Sequence, residues 1–443
     1  MTDGKTTWGL TALLIIIIIM AGVGIYYSSI IVSTLSDISD KQDTILNTLA
    51  GLNVTPTPAK PTITVYALWS GSEEYNFRQA LGNFTQQTGI NVSYYGYTTQ
   101  DLLISVPLQL KAPPYSVDVV IAPWPYWILQ LSSYLTPVND LINVTDYPTN
   151  IVSPVNDSNG NIWAAPFKLS GKPGFWYRES FFTNNGLTVP TTYAEFTNTL
   201  LPAITAISGV EHAIASGDTV GWPLTDPTEG FIMGLGGYEL QLELEAGPSE
   251  RNWTDPQVKS VFENLTQLLE QGYFSTPAEW TSQITKFWQG KYGLYWLGGF
   301  ITAMPQILDL NDLNFFGFPG TDGVVGAVDY VTIPKYAPHM DEAMQLVNYL
   351  AGPQAQEIMV KQGGFLATNV NVPASAYKPA DKLVVDFLGQ AGMNIVADLD
   401  DTIGGTWQTT FWDQLKLLWT SPSITTMNSV LNALQTAAIQ QQG

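Results

Sequence analysis

The chain contains no cysteine and only two histidines, His212 and His339. The absence of cysteine excludes a disulfide framework, a thiolate metal site and a lipid-modified N-terminal cysteine. The two histidines lie far apart in the sequence, which argues against a histidine metal site or a Ser–His–Asp triad. There is no GxSxG elbow and no phosphate-binding loop, and Gly234–Gly237 lacks the third glycine of a dinucleotide-binding motif. The sequence therefore predicts no catalytic residue, no cofactor and no metal ion.

Charged residues are also scarce, at 12% of the chain, yet the formal net charge is −21. This acidic excess argues against nucleic acid or an anionic lipid surface as a partner. The surface must then be polar mainly through hydroxyl and amide groups. At 443 residues the chain is too long for one ordinary hydrophobic core, so we expect two lobes or domains.

A long uncharged run, Thr6–Ser36, stands near the N-terminus. It exceeds the roughly 20 apolar residues that a helix needs to cross a bilayer, so residues 1–35 are predicted to be a membrane anchor. Lys5 precedes the run and Asp37 follows it, which favours an orientation with the rest of the chain outside the cell. One alternative is a cleaved secretory signal. Another follows from a resemblance to archaeal pilin-type leaders, in which a short segment is clipped near Gly9 and the helix is retained.

Residues 36–61 are predicted to form a helical stalk followed by a linker rich in proline and threonine. Apolar side chains recur at alternating spacings of 4 and 3, the heptad pattern of a coiled coil, with one polar interruption. These positions are Ile31, Leu35, Ile38, Gln42, Ile45, Leu49 and Leu52. A coiled coil would make the protein a homo-oligomer, whereas the alternative is a single amphipathic helix. The prolines of Asn53–Pro61 then end the helix and form a stiff spacer.

The chain also carries several acceptor sequences for N-linked glycans. These Asn-x-Ser/Thr sequons lie at Asn53, Asn83, Asn91, Asn143, Asn156, Asn252 and Asn264. They fit a glycoprotein on the outer face of the cell membrane. The alternative is chance, because a chain rich in threonine and asparagine produces such sequons at random.

The folded part is predicted to begin near Thr62 with alternating strands and helices. The apolar runs TITVYAL, INVSYYGY and VDVVIAP indicate strands, and the amphipathic segments between them indicate helices. This β-α-β-α-β order implies parallel strands joined by crossover helices, and ligands approach such sheets at the carboxyl ends of the strands. Those ends carry Trp69 and, after the third strand, Trp124.

One stretch, GWPLTDPTEGF at Gly221–Phe231, combines a large aromatic residue with carboxylates. Its prolines and bounding glycines predict a loop. On a loop beside a cleft, Trp222 would cover the face of a sugar ring while Asp226 and Glu229 accepted hydroxyl protons. The alternative is structural, with Asp226 capping a helix and Glu229 completing a capping box.

Aromatic side chains stand beside polar or small residues elsewhere as well. The pairings are Trp69 with Ser70, Lys168 with Trp176 and Tyr177, and Trp296 with Gly298, Gly299 and Phe300. A pyranose has a weakly apolar C–H face and a rim of hydroxyls, so aromatic rings next to hydrogen-bonding groups suit it. The alternative is that these aromatic residues belong to the core, as most do in a large α/β domain.

Six motifs occur in a characteristic order: WSGSEE, APPYSVDVVIAP, WAAPFKLSGKPGFWYRESFFTNNGLTVPTTYAEF, GWPLTDPTEGF, FWQGKYGLYWLGGF and VDYVTIPKYAPHMDEAMQLVNYLAGPQAQEIMVKQGG. With them the chain resembles the family 1 extracellular solute-binding proteins of ABC importers, especially the carbohydrate binders related to maltodextrin-binding protein. The resemblance runs from about Thr62 to the C-terminus. It implies an α/β, two-lobe periplasmic-binding-protein-like fold with crossing strands and the ligand in the cleft.

The resemblance also implies boundaries and site residues. Lobe 1 would be residues 62–166 and 327–374, and lobe 2 residues 167–326 and 375–443, with crossing segments near Ala165–Phe167 and Phe316–Val331. The implied substrate-binding residues are Trp69, Ser70, Glu73, Trp124, Lys168, Trp176, Tyr177, Trp222, Asp226, Glu229, Trp296, Gly298, Gly299, Phe300, Asp329 and Tyr330.

The implied function is a membrane-anchored receptor on the archaeal cell surface that delivers a mono- or oligosaccharide to an ABC permease. Two alternatives remain at the level of sequence. Paired carboxylates beside aromatic rings also describe a glycoside-acting enzyme. A surface adhesin could carry the same fold with a cleft that serves no transport.

Overall fold

The computed structural model describes residues 4–51, 60–219, 221–390 and 393–442. The chain divides into two compact units, residues 1–59 and 60–443. In the first unit, Gly4–Gly51 form one α-helix, α1, of 48 residues. On this helix Ile31, Leu35 and Ile38 of the predicted seam are each more than half exposed. An exposed row of this kind agrees equally with a single helix and with one that pairs with a second chain.

Some predictions fall on residues outside the described part of the chain. They concern the linker at 52–59, Leu52 and the sequon at Asn53, and the side chains of residues 1–20, 22, 26 and 49–51. Among the described residues, no helix is both long enough and apolar enough to cross a lipid bilayer. The anchor predicted at residues 1–35 falls mostly on side chains outside the described part and stays a prediction.

The second unit alternates strands and helices. Its strands are β1 Thr62–Ala67, β2 Asn91–Gly96, β3 Val119–Ala122, β4 Leu135–Thr136, β5 Ala165–Lys172, β6 Phe175–Arg178, β7 His212–Ala215, β8 Gly217–Asp218, β9 Ala278–Glu279, β10 Tyr292–Trp296, β11 Leu313–Phe316, β12 Gly323–Pro334, β13 Leu366–Ala367 and β14 Asn394–Ala397.

Its α-helices are α2 Gly71–Thr88, α3 Thr99–Lys111, α4 Pro125–Gln130, α5 Thr149–Val152, α6 Glu179–Asn184, α7 Tyr193–Glu195, α8 Leu201–Thr205, α9 Thr225–Phe231, α10 Tyr238–Ala246, α11 Pro256–Glu270, α12 Trp280–Trp288, α13 Met340–Ala351, α14 Pro353–Gln362, α15 Pro379–Leu388, α16 Leu399–Ile403, α17 Gly405–Thr420 and α18 Ile424–Gln442. Short 3-10 segments lie at Ser132–Tyr134, Val144–Asp146, Ser153–Val155, Trp222–Leu224, Gly299–Ala303 and Ala374–Ala376, and π-helical turns at Phe196–Leu200 and Ile232–Gly236.

The first sheet has eight strands in the order β13-β5-β12-β3-β1-β2, with β14 and β4 also paired to β12. Strand β1 pairs in parallel with both β2 and β3. The predicted β-α-β-α-β start is therefore confirmed. Helix α2 packs Phe77, Leu81 and Phe84 into the core as its apolar spacing predicts, since all three are at most 4% exposed.

A second sheet of four strands has the order β11-β6-β10-β7, and β8 pairs with β9. Strands β7 and β10 run in parallel, so their carboxyl ends lie at the same edge of this sheet. The segments that follow these two ends carry Trp222 and Phe300. The second sheet thus brings two distant parts of the chain to one edge.

Two links join the sheets. The chain leaves the first sheet at the end of β5 and enters the second at β6, then returns between β11 and β12. Gly174 makes the first turn possible: its φ is 142°, and a Cβ there would lie 2.2 Å from the Phe316 carbonyl oxygen. Strand β14, within the range predicted for lobe 2, pairs with β12 of the first sheet. The lobe boundaries themselves stay a prediction.

Candidate functional site

Three half-buried aromatic rings meet at one edge of the second sheet. The ring centroids of Trp222 and Trp280 are 5.5 Å apart, and Phe300 lies 5.7 Å from Trp222 and 5.8 Å from Trp280. Gly298 lets the Phe300 ring fold back, because a Cβ at that position would lie 2.4 Å from the ring. The three residues come from separate segments and form one edge-to-face aromatic group.

Lys168 on β5 lies against this aromatic group. Its Nζ is 5.7 Å from the centroid of Phe300 and 5.6 Å from that of Trp69, which are distances of cation–π contacts. The same Nζ donates a hydrogen bond of 2.7 Å to Oε1 of Glu73 and lies 3.9 Å from Oδ2 of Asp329. We call these seven residues the Lys168 site: Trp69, Glu73, Lys168, Trp222, Trp280, Phe300 and Asp329.

The charges of the Lys168 site are held away from solvent. Burial raises the pKa of Asp329 to about 6, with the charge of Glu73 acting in the same direction and that of Lys168 against it. Burial by itself would lower the pKa of Lys168, but the two carboxylates outweigh it and raise that pKa. The site therefore offers one strong donor and two carboxylate acceptors beside a set of aromatic faces, which are the contacts that a sugar ring uses.

Other predicted site residues lie in the core instead. The side chains of Trp124, Trp176, Tyr177, Trp296 and Tyr330 are all at most 6% exposed. The indole N–H of Trp176 donates to the Leu297 carbonyl at 2.7 Å. The hydroxyl of Tyr330 donates to the Ile151 carbonyl at 2.8 Å. Trp176 and Tyr330 thus have hydrogen-bond partners within the fold, and none of the five residues joins the Lys168 site. Ser70 is exposed at the start of α2, and Gly299 is buried beside Phe300.

The prediction of a loop at Gly221–Phe231 is wrong. The segment forms a 3-10 turn followed by α9, and Asp226 and Glu229 have no exposed surface. Lys172 lies against this segment, with its Nζ 2.5 Å from Oδ1 of Asp226. The ammonium group of Lys172 stabilises the buried carboxylate of Asp226. Neither Asp226 nor Glu229 has exposed surface with which to face a ligand in the cleft as predicted. Of the three residues singled out there, only Trp222 belongs to the Lys168 site.

Trp280 was missed by the sequence reasoning. It begins α12, directly after Glu279, whose side chain caps the helix by accepting from the amides of Thr281 and Ser282. Nothing in the local sequence Glu279-Trp-Thr-Ser indicates that the tryptophan faces a site. The run Asp398-Leu-Asp-Asp was also missed, although its three aspartates stand out in a chain so poor in charge.

Asp381 on α15 forms a hydrogen bond with the 3-10 turn Gly299–Ala303, which carries Phe300. Oδ1 of Asp381 accepts from the hydroxyl of Thr302 at 2.5 Å and from the Gly364 amide at 3.2 Å. Burial raises the pKa of Asp381 to about 6 from 3.8, although both hydrogen bonds lower it. The stability of the fold around this carboxyl should therefore depend on pH.

We expect stability to fall as pH rises through the titration of Asp381. A folded-state pKa above the unfolded value means that the folded chain holds the proton more tightly, so stability is lost from about pH 4 to about pH 6. In Asp381→Asn this loss is absent, and the variant should gain about 2–3 kcal/mol relative to the wild type between about pH 4 and pH 7. Urea unfolding at a series of pH values measures the difference.

Asp386→Asn, on the exposed face of the same helix, is the matched control and should show no such change. Parallel pH curves for wild type and Asp381→Asn would contradict the prediction.

Comparison with known proteins gives the class to which this fold and site belong. Residues 70–357 match the family described as bacterial extracellular solute-binding protein. The chain is 41% identical over 376 residues to an uncharacterized ABC transporter extracellular-binding protein of Pyrococcus horikoshii, covering 83% of this chain and 87% of that protein. It is 25% identical over 358 residues to the alpha-glucosides-binding periplasmic protein AglE of Rhizobium meliloti, covering 71% and 74%.

The solved structure of the bacterial solute receptor AcbH has the same fold, with a TM-score of 0.78 at 18% identity, over 86% of this chain and 99% of that one. The predicted α/β, two-lobe periplasmic-binding-protein-like fold is therefore confirmed. The chain belongs to the bacterial extracellular solute-binding protein family, as its sequence motifs indicated. Its location is accordingly extracytoplasmic.

Proposed function

We propose that the protein is a receptor that captures a mono- or oligosaccharide at the Lys168 site and delivers it to the permease of an ABC transporter. The observation that carries this proposal is the meeting of Trp222, Trp280 and Phe300 beside Lys168 and its two carboxylates. The names of relatives point the same way: AglE is named for alpha-glucosides, and AcbH is described as preferring β-D-galactopyranose.

A panel of sugars tests the proposal. Purified protein is heated in the presence of galactose, maltose and longer α-glucosides, and binding of each is measured by calorimetric titration. A ligand at about 100 times its dissociation constant should stabilise the protein by about 2.7 kcal/mol. Amino acids and glycine betaine are the controls and should leave the melting curve unchanged. Stabilisation by a control compound and by none of the sugars would overturn the proposal.

We propose a binding role without catalysis. Glu73 and Asp329 both lie beside the ammonium group of Lys168. A glycosidase needs one carboxylic acid free to protonate the leaving group and another to act as base or nucleophile. The measurement is product analysis after incubation with each bound oligosaccharide, and the expected result is unaltered sugar. Release of reducing ends would favour the glycoside-acting alternative.

We also propose that the N-terminal segment keeps the protein at the membrane. The support is the uncharged run Thr6–Ser36 together with the absence of a cysteine for lipid attachment. The protein should then stay with the membrane fraction in high salt and in alkali, and leave it in detergent. Fractionation of the expressing cells checks this result. A mature N-terminus beyond Ser28, found by mass spectrometry, would rule the anchor out.

Association through the stalk and glycosylation are part of the same proposal. The exposed apolar side chains of α1 would pair with a second copy of the chain, which makes the full chain an oligomer. Among the described sequons, Asn91, Asn143 and Asn156 are exposed and are the sites we propose for glycans. Asn83 and Asn252 accept hydrogen bonds within the fold, from Tyr349 and Gln435.

A further inference from the structure

A second cluster of charged side chains lies away from the aromatic rings, at the end of β5. Five carboxylates surround the ammonium group of Lys172, and each of these residues is at most 9% exposed. We call the five carboxylates the acidic group: Asp226, Glu229, Asp398, Asp400 and Asp401. Asp226 and Glu229 lie on α9, Asp398 directly precedes α16, and Asp400 and Asp401 lie on α16. The acidic group therefore joins parts of the chain that are about 170 residues apart.

Lys172 pairs with only part of the acidic group. Its ammonium nitrogen forms ion pairs with Asp226 and Asp398. In the described part of the chain, no other lysine, arginine or histidine forms an ion pair with Glu229, Asp400 or Asp401. An interior of low dielectric strongly disfavours an excess of negative charge, so further positive charge must neutralise the acidic group.

Several buried oxygens around the acidic group accept no hydrogen bond from the described residues. They include Oε1 of Glu229 and Oδ1 of Asp398. Gln241, a neutral side chain with no exposed surface, directs its amide at Glu229 with Nε2 2.8 Å from Oε2, and its own Oε1 also accepts no hydrogen bond. Buried acceptors of this kind are rare in folded proteins, and the carboxylate oxygens among them are hard donors.

We propose that Glu229, Asp398 and Asp400 bind a divalent cation, Ca²⁺, in the interior of the second unit. One carboxylate oxygen of each residue lies within 4.8 Å of the others. Oxygens that bind Ca²⁺ at about 2.3–2.6 Å stand up to about 5 Å apart across the ion, so this spacing fits a common coordination sphere. The prediction of no metal ion rested on the absence of cysteine and the scarcity of histidine, whereas the ligands proposed here are carboxylates.

The donor set selects the cation. All the candidate ligands are oxygens, which favour hard cations over zinc or copper. Mg²⁺ demands near-ideal octahedral geometry and keeps several waters, whereas Ca²⁺ accepts irregular and bidentate carboxylates. A dry cluster built from three carboxylates therefore favours Ca²⁺.

The bound cation would hold the helix that follows Trp222. The hydroxyl of Thr225 donates to the Trp222 carbonyl at 2.8 Å, and its oxygen lies 3.2 Å from Oδ1 of Asp400. A cation at the acidic group thus fixes the first turn of α9 against α16. The competing description is that protons neutralise the carboxylates, since burial raises the pKa of Glu229 and of Asp400.

Metal content and luminescence test the proposal on the full chain. Protein is treated with chelator, dialysed and loaded with CaCl₂, and bound calcium is measured by elemental analysis. Tb³⁺ is then added and excited through tryptophan. Trp412 donates its indole N–H to Oδ2 of Asp400 at 2.5 Å, so it should sensitise an ion at this site. We expect about one Ca²⁺ per chain, a higher melting temperature with Ca²⁺ than with chelator, and Tb³⁺ emission that Ca²⁺ displaces.

Two matched variants locate the ion. Glu229→Gln removes a charge but keeps the size and hydrogen bonds of the side chain, and should weaken Tb³⁺ binding at least about tenfold. Glu263→Gln, on an exposed face of α11, should leave it unchanged, which separates the site from the general attraction of an acidic chain. Trp412→Phe should lower the sensitised emission of bound Tb³⁺. If wild-type protein retains no calcium and melts identically in Ca²⁺ and in chelator, or if both glutamate variants behave alike, the proposal is overturned.

Discussion

Replacement of Lys172 by methionine is expected to lower the free energy of unfolding by about 3–5 kcal/mol, because it removes one partner of a buried ion pair. Methionine keeps the length of the side chain but leaves Asp226 and Asp398 without the ammonium group that both contact. Urea unfolding at neutral pH and fixed calcium concentration measures the change. This is the largest stability effect that we expect from a single substitution in the chain.

A control and a rescue separate this electrostatic effect from simple disruption of packing. Lys382→Met, on the exposed face of α15 where Lys382 pairs with Asp386, should cost at most about 1 kcal/mol. Adding Asp226→Asn to Lys172→Met should restore part of the lost stability, because it removes one of the uncompensated charges. A loss as small as that of Lys382→Met, or a double variant less stable than Lys172→Met, would refute the account.

The second large effect is expected in sugar affinity. In Trp222→Ala the aromatic group loses one face, so every accepted sugar should bind more weakly by about 1–3 kcal/mol, the value of aromatic stacking on ring ligands. Glu73→Gln changes a hydrogen-bonding group instead, so its effect should depend on which hydroxyls the sugar carries. Calorimetric titration with one accepted sugar and its deoxy analogues distinguishes the two patterns.

The matched control for Trp222→Ala is Tyr336→Ala. Tyr336 is an exposed aromatic residue that stacks on Tyr115 at 4.8 Å and has no ring contact with the Lys168 site. Its replacement should leave sugar affinity unchanged. Equal affinities of wild type and Trp222→Ala would place the sugar elsewhere, and a loss restricted to single sugars would mean that Trp222 acts through its indole N–H rather than its face.

The start of the fold could be predicted because its signal is local. Strand β1 and helix α2 follow directly from a short apolar run and from the spacing of Phe77, Leu81 and Phe84. The parallel pairing of β1 with β2 and β3 follows from the helices between them. Such features depend on neighbours in sequence, which is why the first strands agree so closely with the expectation.

The segment Gly221–Phe231 could not be predicted in the same way. Its prolines sit at Pro223 in the 3-10 turn and Pro227 in the first turn of α9, where a missing N–H costs little, so they permit a helix. The burial of Asp226 depends on Lys172, which lies 54 residues earlier in the chain. No local pattern reports a countercharge at that distance.

The Lys168 site was predicted in part for the same reason. Trp69, Glu73, Lys168, Trp222, Phe300 and Asp329 were named from motifs and from the family resemblance, and the structure brings them together. Trp176 and Trp296 have the same local composition but face the core. Composition indicates where aromatic residues occur, whereas the side of the strand on which each ring lies depends on the packing of the whole sheet.

Strand β12 has a consequence for how the chain is made and exported. It lies between β5 and β3 in the first sheet, yet it consists of Gly323–Pro334, so its neighbours are synthesised long before it. The pairing of Val331 with Ile121 must wait for the chain between them, which makes folding dependent on very distant contacts. A chain in which β12 has not yet been synthesised cannot complete its first sheet. A fragment that ends before Gly323 would leave the edges of β3 and β5 uncovered and should aggregate.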